Sequence, residues 1–123
     1  MQIINIENRS NDNMSISGTS LMGYVKTDYN SLIECFGEPI LERGDNTTCE
    51  WHIEFTVVDE YGDEVMIPAT IYDWKLDETP YHTYNWHIGG FNMSAVDLVN
   101  EALNRQQGDA KDDVAMPFPE EVA

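Results

Sequence analysis

From Glu50 to Val58 apolar and polar residues alternate, with Trp51, Ile53, Phe55 and Val57 set between Glu50, His52, Glu54 and Thr56. A period of two places the first set on one side of a pleated strand and leaves the second wet. The run DEYGD at 59–63 supplies turn residues, and Val65–Trp74 is predicted to return as the second strand of a hairpin. In that strand Ile67, Ala69 and Ile71 share one side while Met66, Thr70, Tyr72 and Trp74 share the other, so both sides are apolar enough to want cover. Pro68 has no amide proton to give to a ladder, which predicts an edge or a bulge there. After a loop over 75–82, TYNWHI at 83–88 is expected to form a further strand, broken by Gly89-Gly90.

Helical spacing appears twice. Leu32, Ile33 and Phe36 fall on one face of a segment over 28–36, capped by Thr27 or Asp28 and stopped by Gly37 and Pro39. Val96, Val99 and Leu103, flanked by Ala95 and Ala102, give the same stripe from Ser94 to about Gln106, with Ser94 as cap and Asp97 three residues on. Residues 22–26 are extended, 2–8 form a short strand, and 9–20 and 42–48 read as loops. The expected organisation is an N-terminal strand and loop segment (1–20), one domain (21–107) and an acidic flexible tail (108–123). Helix, hairpin, strand and helix in this order predict an α+β fold: a small antiparallel sheet of three or four strands with two helices on one face. The uncovered side, carrying Glu50, His52 and Glu54, would be closed by the N-terminal segment, by a second copy in a homodimer, or by a partner.

Charge changes this picture most. Twenty-three Asp and Glu stand against six Lys and Arg, a net −17 over 123 residues, with the acids distributed from Glu7 to Glu121. A domain of this length is roughly 35 Å across, and that length of duplex DNA carries on the order of 20 phosphate charges. Comparable charge densities make a protein decoy for a nucleic-acid-binding protein physically feasible, although acidity also serves solubility alone. Six scattered cations make no basic patch, which argues against direct nucleic-acid binding, and anionic lipid would repel the chain. No apolar run reaches the ~20 residues of a membrane span. The opening MQIINIENRSNDN lacks the basic and apolar regions of a secretory signal. The expectation is a soluble intracellular protein with two reduced thiols, Cys35 and Cys49.

The chemistry-bearing residues do not assemble into a catalytic pattern. Cys49-x-x-His52 is half of a zinc motif with no second pair, and the two would point to opposite sides of a strand. Asp59 to Glu64 lacks the alternating ligands of a calcium loop. Cys35 sits beside Glu34, which would raise rather than lower its thiol pKa. Gly89-Gly90 before a helix lacks the context of a phosphate cradle. No metal, no cofactor and no catalytic residue are assigned.

The blocks GYVKTDYNSLIECFGEP (23–39), EWHIEF (50–55), ATIYDWK (69–75) and NWHIGGFNMSAVDLVNEAL (85–103) resemble a family of small proteins encoded by tailed bacteriophages. The resemblance covers about residues 22–104 and implies an accessory protein acting in the host bacterial cytoplasm. It transfers no catalytic role, and residues 56–66 and the tail depart from it. Combined with the charge, it leads to a non-enzymatic inhibitor of a host nucleic-acid-binding protein, by acidic DNA mimicry in an anti-restriction, anti-CRISPR or similar anti-defence role. The expected contact residues are Glu50 and Glu54 on the wet strand face, Asp59, Glu60, Asp63 and Glu64 in the turn, and Asp73, Asp77 and Glu78 beyond it, with Tyr72 and Tyr81 as aromatic anchors. Two other classes stay open: a small-molecule sponge or sensor with a Trp- and Tyr-lined pocket, and a structural or virion-assembly protein.

Overall fold

In a computed structural model, which describes residues 2–10, 16–41 and 46–115, the chain folds as an antiparallel sheet with two helices on one face. The elements in order are β1 (Gln2–Asn8), β2 (Ser20–Thr27), α1 (Tyr29–Phe36), β3 (Ile40–Leu41), β4 (Cys49–Val58), β5 (Glu64–Tyr72), β6 (Tyr84–Gly90) and α2 (Ser94–Ala115). The α+β class and the helices agree with the sequence pattern, but the sheet has six strands among the described residues, not three or four. Its order is β1-β4-β5-β6-β2, with the short β3 also paired to β4.

β4 carries the alternation that defines the core. Cys49, Trp51, Ile53, Phe55 and Val57 are fully buried beneath the helices, and Ala69, Ile71, Trp86 and Ile88 extend the same layer across β5 and β6. Leu32 and Phe36 of α1 and Ala95, Leu98, Val99, Ala102 and Leu103 of α2 close it from above. Trp51 and Trp86 meet edge to face at 5.4 Å in its middle. Both indoles are satisfied, Trp51 Nε1 donating to the Gly37 carbonyl (2.8 Å) and Trp86 Nε1 to that of Thr27 (3.0 Å). Each ring therefore fixes an end of α1 to the sheet while contributing apolar area.

The N-terminal segment is not separate from the domain. β1 pairs with β4 from Gln2↔Val58 to Asn8↔Ile53, and Asn8 Nδ2 donates to the carbonyls of Phe36 and Glu38, both at 2.8 Å. Ile3, Ile4 and Ile6 do not alternate with polar residues, and the register shifts between Ile3 and Asn5, so side-chain period does not reveal this strand as an edge of the main sheet. At the other end α2 runs past Gly108 to Ala115, so that part of the expected tail is helical; residues 116–123 lie outside the described ones. The helix is also entered differently. Asn92 Oδ1 accepts the Ser94 amide (2.8 Å) and the Met93 carbonyl accepts Asp97, which makes Ser94 the first helical residue rather than the cap. By contrast α1 is capped as its sequence predicts, Asp28 Oδ1 accepting from the Ser31 amide at 2.8 Å.

Pro68 lies opposite Glu54, below the rungs Thr70↔Gly89 to Tyr72↔His87 that join β5 to β6, so its missing donor falls where β5 has one neighbour. Gly89 and Gly90 do not break β6; they are its last two residues. A Cβ on Gly89 would collide with Thr70 Oγ1, and one on Gly90 would lie 2.5 Å from the Ala95 Cβ. These glycines permit close approach on opposite sides of the sheet. Gly90→Ala is expected to cost about 1–3 kcal/mol through overpacking against α2, read as a lower urea midpoint. An unchanged midpoint would contradict the close packing.

Candidate functional site

The helix-free side of the sheet presents Glu7 from β1, Glu50, His52 and Glu54 from β4, Thr70 and Tyr72 from β5, His87 and Gly89 from β6, and Tyr24 and Lys26 from β2. It is partly covered by flanking segments. The Ser10 hydroxyl accepts the His52 amide (3.1 Å), Arg9 Nη1 reaches Glu54 Oε1 (3.0 Å), and Ile16, Thr19 and Ser20 reach a cleft over Thr70. The carboxylates here are engaged: Glu50 Oε2 accepts from Thr47 Oγ1 (2.8 Å), and its Oε1 lies 3.0 Å from His52 Nε2. With Arg9 and Lys26 among them, this side is not a dense anionic face.

Asp73 requires the clearest correction among the expected contact residues. It is fully buried, and its carboxylate accepts the amides of Thr48 (2.7 Å) and Cys49 (3.4 Å) and the Thr48 hydroxyl. That hydroxyl lies 2.8 Å from Thr79 Oγ1, which brings the β5–β6 loop into the same network. A carboxylate just past a strand looks like an exposed loop acid in sequence, yet this one joins the end of β5 to the start of β4 and cannot touch a partner. Its charge and burial together push the Cys49 thiol up to about 12, burial being the larger cause, while burial alone raises Cys35 to about 11. Both thiols are therefore protonated at neutral pH, which leaves neither activated as a nucleophile.

The remaining expected residues do not form one patch. Asp59, Glu60 and Asp63 occupy the β4–β5 turn and Glu64 opens β5 opposite Val58, eight residues along β4 from Glu50 and thus roughly 26 Å away at ~3.3 Å per residue. Asp59 builds that turn, its Oδ1 accepting the amides of Tyr61 and Asp63 at 2.9 Å each, while Gly62 adopts φ 84°. Glu60, Asp63 and Glu64 are exposed, as is Tyr61, at 83%. Among the described residues no cation pairs with them. Asp77 and Glu78 are exposed on the β5–β6 loop, and Tyr81 packs edge to face on Tyr29 of α1 at 4.9 Å, away from the open side.

Tyr72 stands at the centre of an aromatic group that includes Trp74, which the strand pattern placed on the same side, and Tyr24 and His87, which it did not single out. Its ring stacks on His87 (5.3 Å, 29°), Tyr24 meets His87 edge-on at 4.9 Å, and Trp74 lies 6.3 Å from both Tyr72 and His87. Trp74 falls after β5 rather than within it, and its amide donates to the Tyr84 hydroxyl (3.2 Å). Beside the group, a cleft of about 220 Å³ is bordered by Glu50, Tyr72, Trp74 and Thr47. Burial and the nearby Glu50 charge raise the Tyr72 hydroxyl pKa. Tyr24 and His87 become neighbours only through the β2–β6 register, which periodicity within one strand does not reveal.

Two consequences are measurable. Asp73→Asn replaces a charged acceptor of buried amides and is expected to cost about 1.5–3 kcal/mol of stability; equal urea midpoints would contradict that role. Burial lowers the His87 pKa from its usual 6.5 against the opposing charge of Asp73, and Nδ1 is buried with no hydrogen-bond partner among the described residues. The unfolded chain therefore takes up this proton first as pH falls. The contribution of His87 is complete above pH 6.5 and is lost as pH drops through the lower folded value. Acidification also relieves carboxylate repulsion, so the informative quantity is wild-type stability relative to His87→Gln. That difference should move against the wild type between pH 7.5 and 5; a constant difference would contradict the assignment.

Compared with protein-family models, curated proteins and solved structures, the chain finds no match in any of the three.

Proposed function

We propose that this chain is a non-enzymatic inhibitor that binds a basic, nucleic-acid-handling protein of a bacterial host, as its resemblance to small phage proteins implies, and that the β4–β5 turn makes the contact. One observation carries the reading: Tyr61, 83% exposed, shares with the exposed Glu60, Asp63 and Glu64 a short segment whose turn is built by Asp59. Exposed aromatics anchor protein interfaces, and unpaired charge around them steers association. Asp77 and Glu78 add charge elsewhere on the surface. Glu50 and Glu54 contribute less to this reading than their sequence positions suggest, because His52, Thr47 and Arg9 hold them. The mimicry is thus of a short anionic stretch rather than of a full 35 Å face.

The test is capture from bacterial lysate on the immobilised protein, with elution by rising salt. A DNA- or RNA-handling protein retained at low salt and displaced by duplex DNA is the expected result. The variant Glu60→Gln/Asp63→Asn/Glu64→Gln spares the turn-forming Asp59 and should slow association at least tenfold at low ionic strength, within the ~10–10³ range of electrostatic steering. A triple variant of the same charge change on the helices, Glu34→Gln/Asp97→Asn/Glu101→Gln, should change it far less. Equal effects from the two variants would assign the charge to general solubility and remove the turn from the contact.

A further inference from the structure

The cleft on the open side has the composition of a cation receptor. Thr70 and Gly89, both buried, form its floor, and a Cβ on Gly89 would stand 3.5 Å from both the Ser20 carbonyl oxygen and Tyr72 Cε1, filling the space between them. One wall is the ring of Tyr72, immobilised by stacking on His87, and Trp74 stands beside it at 68° to that ring, 42% exposed. Directly across from Tyr72 on β4 is Glu50, whose carboxylate is oriented by Thr47 and His52 and keeps 21% of its side-chain surface accessible.

Aromatic faces carry negative potential and attract cations, and a carboxylate beside them adds a directional acceptor. The Nζ of Lys75 already lies 6.0 Å over the Trp74 ring, so this indole faces one cation of the chain itself. Lys75 is also the only non-glycine residue with positive φ (55°) among the described residues, and its amide donates to the Asn46 carbonyl at 2.7 Å. That backbone conformation turns the chain directly after Trp74 and keeps the indole beside the cleft.

Size narrows the ligand. About 220 Å³ of room suits a guanidinium with a short alkyl stem. It is below the ~300–1,000 Å³ of sites for drug-sized molecules. Net charge of −17 disfavours phosphates and other anions. A guanidinium fits better than an ammonium because its plane can stack on Tyr72 or Trp74 while its edge donates to Glu50.

We propose that the cleft bordered by Glu50, Tyr72 and Trp74 binds a guanidinium group, supplied either by a free small molecule or by an arginine side chain of a protein. The inference stands on the cleft alone and does not require the acidic turn to contact a partner. The test is titration with N-acetyl-arginine amide, with its neutral isostere N-acetyl-citrulline amide, and with a capped Gly-Gly-Arg-Gly-Gly peptide, followed by calorimetry and tryptophan fluorescence. Trp51 and Trp86 are fully buried, so a fluorescence change reports Trp74.

Saturable binding of the arginine compounds is expected, at least tenfold tighter than the citrulline compound. Glu50→Gln, near-isosteric, and Trp74→Leu, at an exposed position, should each weaken it at least tenfold with thermal midpoints retained. Glu101→Gln, which changes net charge equally, should leave it unchanged, as should the triple variant of the acidic turn. A peptide at least tenfold tighter than the amide identifies an arginine side chain of a protein as the ligand; an amide at least tenfold tighter than the peptide identifies a free guanidinium compound. Citrulline binding as tight as arginine, or Glu50→Gln without effect, would overturn the proposal.

Discussion

The buried carboxylate of Asp73 is the constraint on which the functional side of this molecule depends. It has left water, so the donors gathered around it must hold their positions or leave a charge unsatisfied in the interior. Those donors are the Thr48 and Cys49 amides and the Thr48 hydroxyl, which define where β4 begins. Asp73 itself follows β5. Because the two strands are joined in register at this point, Glu50 stands opposite Tyr72 and Trp74 emerges beside both. The cleft and the aromatic group are thus built on one polar network whose other members look like ordinary loop residues.

The acids therefore divide by what surrounds them. Asp73 and Asp28 are structural, the first inside the fold and the second as the cap of α1. Asp59 is structural too, although it lies in the turn, since its carboxylate organises the backbone that displays Glu60, Asp63 and Glu64. Glu50 and Glu54 are held on the open face by His52, Thr47 and Arg9. Among the described residues, Glu60, Asp63, Asp77 and Glu78 are exposed acids at loop positions. Net charge sets the field around the whole protein, while in the proposed reading the exposed carboxylates of the β4–β5 turn direct where a partner would dock.

Much of this fold was legible from side-chain period alone. β4, its return strand and both helices follow from apolar positions at intervals of two or three to four, because burial on one side imposes those intervals. The features that were not legible depend on relations between segments. β1 became an edge of the main sheet because β4 has a free side there. β3 is two residues long and carries no period. Gly89-Gly90 reads as a break from its conformational freedom, whereas its role is the absence of side-chain volume against Thr70 and Ala95. Asp73 has the sequence context of a surface loop acid, and only the packing of the β4 start against the β5 end shows it to be interior. Tyr61, the most exposed large hydrophobic among the described residues, sits in a turn where sequence gives its acids prominence and its ring none. The pairing of Tyr24 with His87 required the register of two strands far apart in the chain.

In the proposed function the exposed acids of the β4–β5 turn make the contact with the basic partner. Hydrogen–deuterium exchange tests this most directly, comparing the free protein with a complex formed with any DNA- or RNA-handling protein that the lysate capture yields. The account predicts new protection centred on 59–65, with the amides of the helices unchanged. Protection confined to the helices, or a turn that exchanges equally fast in the free and bound states, would contradict it.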